Sequence, residues 1–291
     1  MTDSKTDRVT IPGLWEKKSA GERITVLTAY DYPTARILDE AGIDILLVGD
    51  SLGMVVLGYE NTLPVTMEEM IHHTKAVTRA ARRALVIADM PYFSFHLTKE
   101  ETVANASRFI KEAGAQAVKI EGASRKRLGL VASLVEAEIP VMGHVGLTPQ
   151  SIARLGRFRV QGVEAEAARR ILEDARNLER TGAFAVVLES VPRELAKVIT
   201  AELRVPTIGI GAGPHCDGQV LVFHDFAGYS TGYLPKFVKR YANLQAVIRR
   251  AAGAYIADVR NGVFPGDAES YHMKPAAAAA LRGRRGRTKR T

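Results

Sequence analysis

Residues 84–121 read ALVIADMPYFSFHLTKEETVANASRFIKEAGAQAVKIE and contain a complete strand, helix and strand. The segments ALVIADM and AVKIE at the two ends are apolar on successive positions, which is typical of strands buried on both faces of a parallel sheet. Between them, Thr98 and Glu101 form a capping box that predicts a helix start, and Ala113-Gly114 supplies its stop. The stretch therefore predicts one β-α-β unit.

The same alternation extends in both directions along the chain. A second capping box, Thr66 with Glu69, opens a helix that reaches about Arg82, and further helices are predicted over 164–180 and 192–203. Eight strands are predicted, over residues 24–30, 44–50, 84–90, 117–121, 140–145, 183–189, 205–209 and 219–224. Eight such units with right-handed crossovers favour an α/β fold of the (β/α)8 TIM barrel type over a doubly wound open sheet.

The composition is that of a globular protein with one basic end. The chain has 291 residues, of which 46% are hydrophobic and 25% charged, and its net charge is +8. Seven basic residues and no acidic one lie from Lys274 onward, so the rest of the chain is close to neutral. We therefore expect a single barrel domain over residues 1–273, including a short N-terminal extension, followed by a disordered basic tail over 274–291.

The sequence lacks several features that would indicate nucleic-acid binding, membrane insertion or secretion. A short basic run without aromatic residues is weak evidence for nucleic-acid binding, so we interpret residues 274–291 as a solubilising tail. No run of about 18 apolar residues and no apolar signal core occur, so we expect no membrane contact and a cytoplasmic location. Cys216 is the single cysteine, which excludes an intramolecular disulfide.

Polar residues, most of them acidic, accumulate at the predicted carboxyl ends of the strands, where TIM-barrel active sites lie. These ends carry Tyr30, Asp50, Ser51, Asp89, Lys119, Glu121, His144 and Glu189. Converging acids repel one another unless a cation or bound protons neutralise them, and oxygen ligands without cysteine favour Mg²⁺. Asp50 and Asp89 are the first candidate ligands, with Glu121 joining directly or through water. Helix N-capping is the structural alternative for these acids.

The other strand-end residues suggest further roles. Lys119 shares a strand face with Glu121, so it is placed to bind an anion. Tyr30 and His144 either line the pocket or serve as structural hydrogen-bonding residues. Glu189 follows the apolar segment AFAVVLE, so desolvation would raise its pKa toward the operating pH of a general base.

Longer motifs resemble one enzyme family. They are TAYDYPTA at 28–35, LVGDSLGMVVLGY at 47–59, PVTMEEM at 64–70, ADMPYFS at 88–94, VKIEG at 118–122, GHVGLTPQS at 143–151, VLESVP at 187–192 and GIGAGPHCDGQVLVFHD at 209–225. With these motifs the chain resembles the ketopantoate hydroxymethyltransferases, also called 3-methyl-2-oxobutanoate hydroxymethyltransferases. The resemblance implies a barrel of the phosphoenolpyruvate mutase/isocitrate lyase-like type, and it covers essentially the whole predicted barrel.

The resemblance also implies an activity and residue roles. Such enzymes transfer a one-carbon unit from 5,10-methylenetetrahydrofolate to α-ketoisovalerate, giving ketopantoate for pantothenate and coenzyme A synthesis, with the help of Mg²⁺. By this resemblance the metal would be bound by Asp50, Asp89 and Glu121. The substrate would be bound by Ser51 and Lys119, together with Asp50 and Asp89. Glu189 would be the catalytic proton acceptor. The family is homo-oligomeric, often decameric, and we expect the same here.

Three alternatives stay open on the sequence alone. An enzyme of the phosphoenolpyruvate mutase type would place a reactive cysteine in a loop like KKCGH, whereas Cys216 lies in GPHCDGQ. A phosphate-binding barrel would use the glycine-rich turn at 209–213, although a tight turn explains those glycines equally well. The third alternative is partner or nucleic-acid binding through the tail. The pairs His72-His73 and His215-Cys216 lack the second pair that a zinc site needs.

Overall fold

The computed structural model describes residues 8–232 and 234–283, and its strands form a closed parallel barrel. Each strand pairs with the next in chain order, and the last pairs with the first through Val220 opposite Val26. The strands are β1 Ile24–Thr28, β2 Ile45–Val48, β3 Leu85–Asp89, β4 Ala117–Glu121, β5 Val141–Gly146, β6 Ala185–Glu189, β7 Thr207–Ile210 and β8 Gly218–Leu221. All eight predicted strands and the TIM barrel are confirmed, with differences of a few residues at the strand ends.

Both faces of the barrel sheet are buried, as the successive apolar positions predict. In β2, Ile45 and Leu47 belong to a cluster that also contains residues from most other strands, which places it inside the barrel. The alternating residues Leu46 and Val48 belong to a larger cluster between the sheet and the helices. Because neighbouring strand residues point to opposite faces, each strand contributes to both cores.

Helices follow most of the strands. Their bounds are α1 Ile11–Ala20, α2 Tyr32–Glu40, α3 Leu52–Val55, α4 Met67–Ala80, α5 Lys99–Lys111, α6 Arg125–Glu136, α7 Ile152–Leu155, α8 Ala165–Arg180, α9 Arg193–Glu202, α10 Phe223–Phe226, α11 Leu244–Arg260 and α12 Pro275–Gly283. Both predicted capping boxes are formed, with Thr66 and Glu69 at the start of α4 and Thr98 and Glu101 at the start of α5. In each box the threonine accepts a hydrogen bond from the third helical N–H, and the glutamate accepts one from the cap N–H.

Two features depart from a strict alternation of strand and helix. Residues 211–217 join β7 to β8 without a helix. Helix α1, which was not predicted, precedes the first strand and closes the amino-terminal end of the barrel. Leu14 of this helix is buried in the inner cluster, Trp15 Nε1 donates to the carbonyl of Phe184 at 3.0 Å, and Lys18 Nζ pairs with Asp217 at 2.7 Å.

The internal contacts divide the chain into two compact units, one up to Ala242 and one from Asn243. The first unit contains the barrel, and the second contains α11 and α12. The part of the expected tail from Pro275 to Gly283 forms α12, and residues 284–291 lie outside the described part of the chain, as do residues 1–7. The boundary at residue 273 therefore stays a prediction. Within the described residues, no helix has the length and apolar character needed to span a membrane.

Candidate active site

The carboxyl ends of five adjacent strands bring together six polar side chains, which we call the strand-end cluster. Its members are Asp50, Asp89, Lys119, Glu121, His144 and Glu189. The strand register explains the convergence, because Asp89 is paired with Lys119 and Glu121 with His144 across neighbouring strands. Five of them are buried, His144 being only 1% exposed, whereas 16% of the Glu189 side chain is accessible to solvent. The sequence-based list of strand-end residues thus corresponds to one buried cluster.

A lysine and two aspartates form one half of the cluster. Lys119 Nζ lies 2.7 Å from Asp89 Oδ1, and the backbone N–H of Asp50 donates to Asp89 Oδ2 at 3.2 Å. Burial alone would lower the pKa of Lys119, but the charges of Asp89, Glu121 and Asp50 raise it above its usual value. Lys119 is therefore a permanent buried cation at physiological pH.

A histidine between two glutamates forms the other half. His144 Nδ1 lies 3.6 Å from Glu121 Oε1, and His144 Nε2 lies 3.4 Å from Glu189 Oε2. Burial and the charge of Lys119, whose Nζ lies 3.5 Å from His144 Nδ1, lower the pKa of His144 well below its usual value. The imidazole is therefore neutral between the two carboxyl groups.

Three carboxyl groups of the cluster, those of Asp50, Glu121 and Glu189, hold protons more tightly than exposed acids do. Burial and the neighbouring charge of Asp89 raise the pKa of Asp50 to about 7. Burial raises the pKa of Glu189 to about 8, against the opposing influence of Lys119, and raises that of Glu121 well above its usual value. The cluster thus contains four acids and one lysine, with at least two of the acids able to change charge near neutral pH.

Backbone conformation fixes the position of Glu189. The residue after it, Ser190, has a φ of +49°, in the left-handed region that non-glycine residues seldom adopt. Ser190 N donates to the carbonyl of Ile210, and Leu147 N donates to the carbonyl of Glu189, both at 2.8 Å. This strained residue ends the strand and holds Glu189 at the rim of the barrel.

Tyr30 and Ser51 lie beside the cluster and contact each other. The Tyr30 hydroxyl and Ser51 Oγ are 2.8 Å apart, and burial raises the pKa of Tyr30 above its usual value. Gly49 leaves the space for this pair, because a Cβ on Gly49 would lie 2.7 Å from Ser51 Oγ and 3.5 Å from Asp89 Oδ2. Ser51 therefore lies next to the aspartates with its hydroxyl held by a buried tyrosine.

Gln150 is part of this site, although the sequence analysis did not single it out. Its side-chain amide donates to Asp50 Oδ2 at 2.8 Å and to the carbonyl of Met90 at 2.9 Å, while its backbone N–H donates to Glu121 Oε2 at 3.1 Å. Gln150 lies in a single 3₁₀ turn after β5, not at a strand end, so its position along the chain gave no signal. The one available signal was the motif GHVGLTPQS, which contains it.

The donors of the site suit a hard cation. Among the described residues, Gln150 Oε1 is a buried side-chain oxygen of this site without a hydrogen bond, while Asp89 Oδ1 is paired with Lys119 Nζ and His144 Nε2 lies 3.4 Å from Glu189 Oε2. The excess of acids over bases also calls for a positive charge. No group of three or more His, Cys, Asp or Glu side chains in the described ranges is arranged as a ready metal site. Mg²⁺ usually takes one or two protein carboxylates and keeps several waters, and Asp50 and Asp89 are the carboxylates available for it.

The glycine-rich turn at 209–213 has a structural explanation. Gly211 and Gly213 have φ values of +65° and +76°. A Cβ on Gly211 would lie 2.7 Å from the Phe237 ring, and one on Gly213 would lie 2.5 Å from Arg193 Cβ. Close packing of the turn therefore accounts for both glycines without a phosphate ligand.

The paired histidine and cysteine residues also have structural surroundings. His73 Nδ1 lies 2.6 Å from the carbonyl of Tyr30, and the His72 ring packs edge-on against His73. Cys216 is buried. The His73 contact ties α4 to the end of β1.

Comparison with known sequences identifies relatives over nearly the whole chain. A family model described as ketopantoate hydroxymethyltransferase matches residues 8–267. The 3-methyl-2-oxobutanoate hydroxymethyltransferase of Koribacter versatilis is 56% identical over 94% of this chain and 92% of its own length. The enzyme of the same name from Syntrophomonas wolfei is 54% identical over 92% of this chain and 96% of its own length.

Solved structures with the same fold are much more distant in sequence. Phosphoenolpyruvate phosphomutase from Streptomyces platensis matches with a TM-score of 0.60 at 14% identity, covering 95% of this chain and 96% of that one. A 2,3-dimethylmalate lyase of the phosphoenolpyruvate mutase/isocitrate lyase superfamily matches with a TM-score of 0.59 at 16% identity, covering 95% of both chains. These matches confirm the expected barrel type. With the family model and the close relatives, the chain belongs to the ketopantoate hydroxymethyltransferase family and is a hydroxymethyl-transferring enzyme.

Proposed function

We propose that this enzyme transfers a one-carbon unit from 5,10-methylenetetrahydrofolate to α-ketoisovalerate, which is 3-methyl-2-oxobutanoate, and so forms ketopantoate for pantothenate and coenzyme A synthesis. The relatives at 54% and 56% identity carry the name of this reaction. The observation that carries the proposal is the position of Glu189, whose carboxyl group lies 3.4 Å from His144 at the rim of a cluster rich in acids, where desolvation raises its pKa to about 8. A base of this kind suits proton removal next to a ketone.

The substrate carboxylate is held by Lys119 and Ser51. A keto acid brings one negative charge into a buried site, and Lys119 is the only cation of the strand-end cluster. Ser51 is the first residue after Asp50, and its hydroxyl is positioned by Tyr30 at 2.8 Å. Together these groups fix the substrate so that its C3 atom faces Glu189.

Mg²⁺ is the metal that the donors fit, with Asp50 and Asp89 as ligands and Glu121 taking part directly or through water. When bound, Mg²⁺ stabilises negative charge that develops on the keto oxygen during proton loss. Gln150 supports this arrangement, because its amide and backbone N–H groups hold Asp50 and Glu121 in place.

Glu189 takes the proton from C3 of α-ketoisovalerate, and the C–H electrons become the enolate. The neutral His144 beside Glu189 keeps the carboxylate from being paired with a competing cation. Water attacks the methylene carbon of the co-substrate, both bonds from that carbon to the folate nitrogens break, and the two water protons end on those nitrogens, which leaves the one-carbon unit at the oxidation level of formaldehyde. The enolate carbon then bonds to this carbonyl carbon, and its oxygen takes the proton held by Glu189 and becomes the hydroxyl group of ketopantoate.

Product analysis tests this proposal. Purified enzyme with Mg²⁺, α-ketoisovalerate and ¹³C-labelled methylenetetrahydrofolate should give ketopantoate with one ¹³C atom, detected by mass spectrometry. Lys119→Met should raise KM for α-ketoisovalerate at least about tenfold, since it removes a buried charge-assisted contact. Lys197→Met, on the exposed surface of α9, serves as the matched control and should leave KM unchanged. Absence of labelled ketopantoate from the unmodified enzyme would overturn the proposal.

Two further expectations stay predictions. A cytoplasmic location follows from the sequence analysis alone, and a homo-oligomeric, decameric assembly follows from the family resemblance alone. Nucleic-acid contact through the basic tail is not part of this function.

A further inference from the structure

The loop that joins β3 to α5 presents aromatic side chains that the proposed chemistry does not use. It begins at Met90, directly after Asp89, and therefore leaves from the catalytic end of the barrel. Tyr92 is 37% exposed and Phe93 is 55% exposed. Large exposed rings next to a catalytic centre point to a surface that meets a ligand.

The backbone of this loop holds the Phe93 ring outward. Phe93 has a φ of +69°, in the left-handed region that is costly for an aromatic residue. The Phe93 ring stacks on the His96 ring with a centroid distance of 5.7 Å and an interplanar angle of 15°. Tyr92 packs edge-on against the same His96 ring at 4.9 Å. Strain that is kept in order to present a ring is typical of ligand-binding segments.

His96 is immobilised from the β4–α6 side. The Arg127 guanidinium lies 2.5 Å from His96 Nε2 and 4.2 Å above the Phe95 ring, and Lys126 Nζ donates to the carbonyl of His96 at 2.6 Å. Burial and these two positive charges lower the pKa of His96 to about 4. The stack therefore rests on a fixed, neutral ring.

The same loop is tied to the strand-end cluster. Gln150 Nε2 donates both to the carbonyl of Met90, where the loop starts, and to Asp50 Oδ2. One side chain thus fixes the base of the loop and a candidate metal ligand. A ligand that rests on the loop is consequently held at a defined position relative to the reacting carbon.

We propose that Tyr92, Phe93 and His96 form a stacking platform for the pterin ring of the folate co-substrate. The inference rests on the proposed function, which requires two reactants. α-Ketoisovalerate is small and aliphatic, so it offers no ring to stack. The pterin is flat and aromatic, and a flat ring gains the most from an exposed ring held rigidly in place.

Binding of two pterins tests the platform. The probes are tetrahydrofolate and 6-methyltetrahydropterin, which lacks the tail, each titrated calorimetrically into the full chain with Mg²⁺ and α-ketoisovalerate. Phe93→Ala should weaken both about tenfold, since it removes one stacking contact. Phe93→Tyr, which keeps a ring, should retain the affinity. Leu97→Ala is the matched control, because Leu97 is 50% exposed in the same loop but carries no ring.

The outcomes separate the platform from the reaction. Equal pterin affinities for the unmodified enzyme and Phe93→Ala would overturn the platform, even if labelled ketopantoate forms normally. Absence of pterin binding by the unmodified enzyme would overturn it as well. A changed molar mass in light scattering with unchanged pterin affinity would assign the loop to a subunit contact and would also overturn it. Pterin binding that depends on Phe93 without ketopantoate formation would support the platform and contradict the proposed reaction.

Discussion

The strand-end cluster contains more acidic than basic side chains. Four acids surround Lys119, and burial works against the ionised form of three of them, Asp50, Glu121 and Glu189. The excess of negative charge can be neutralised in two states. In the first, protons stay on some of the acids up to near-neutral pH, and in the second, a cation bound by Asp50 and Asp89 replaces those protons. The proposed catalysis needs the second state, because Glu189 can accept a proton only when its carboxyl group is ionised.

This balance predicts how stability changes with pH in metal-free protein. Asp50 and Glu189 have folded pKa values of about 7 and about 8, above those of exposed acids. In the unfolded chain these groups lose protons at lower pH, so unfolded protein binds fewer protons and stability falls as pH rises. With EDTA, the Tm should fall between about pH 5 and about pH 8. Asp50→Asn should flatten this decline.

Mg²⁺ should reverse the decline where the acids are ionised. We expect Mg²⁺ to raise the Tm more at pH 8 than at pH 6, because ionised Asp50 binds Mg²⁺ more tightly than protonated Asp50, and the stabilisation of the folded protein grows with the logarithm of the ligand's affinity. Differential scanning calorimetry at the two pH values, with and without Mg²⁺, measures this. A Tm that rises with pH in EDTA, or an equal effect of Mg²⁺ at both values, would contradict the assignment.

The helices and strands differ in how well they can be predicted from the sequence. The strands and the helices α4 and α5 were predicted because their signals are local: successive branched apolar residues, and a threonine with a glutamate three positions later. Helix α1 was missed because its single buried residue, Leu14, gives no apolar stripe. Local end signals are present, because the Thr10 side chain accepts a hydrogen bond from Gly13 N at the start and Gly21 ends the helix with a φ of +70°. Without an apolar stripe between them, these signals alone did not predict the helix.

The candidate site divides in the same way. The acids, Lys119 and His144 could be placed because they lie at strand ends, and topology brings strand ends together. Gln150 could not, since it reaches the cluster from a loop whose path is set by tertiary contacts. The stacking of Phe93 on His96 could not be predicted either, because no sequence pattern indicates that a phenylalanine adopts a left-handed backbone conformation.

The β7–β8 turn offers a test of what its glycines do. Gly211→Ala should lower the free energy of unfolding by about 1–3 kcal/mol, since it combines a φ of +65° with a Cβ 2.7 Å from the Phe237 ring. Gly253→Ala in α11 is the matched control, because its Cβ meets nothing within 4 Å, and it should stabilise by about 0.5–1 kcal/mol. Urea unfolding measures both. Unchanged stability for Gly211→Ala, together with weaker phosphate binding, would favour a ligand role for the turn.

In the molecule as a whole, residues that stabilise the fold and residues proposed for catalysis lie at opposite ends of the barrel. Its amino-terminal end is closed by α1, and its carboxyl-terminal end carries the strand-end cluster. Changes at the closed end should therefore alter folding without altering substrate binding.

Leu14→Ala tests this separation. Leu14 is 1% exposed, so its truncation leaves a cavity and should cost about 2–5 kcal/mol of unfolding free energy. KM for α-ketoisovalerate should not change in the folded variant. Glu16→Ala, on the exposed side of the same helix, is the control for both readouts. A change of KM at unchanged stability would show that the two ends are coupled.

Enolisation of the keto acid is the central chemical claim, and proton NMR measures it directly. α-Ketoisovalerate is incubated in D₂O with the enzyme and Mg²⁺, without folate, and the C3 proton signal is followed. We expect the signal to decay with the unmodified enzyme, to persist in EDTA and to persist with Glu189→Gln, whereas Glu194→Gln on the exposed surface of α9 should exchange normally. Exchange at the normal rate by Glu189→Gln, or in EDTA, would contradict metal-assisted enolisation with Glu189 as the base.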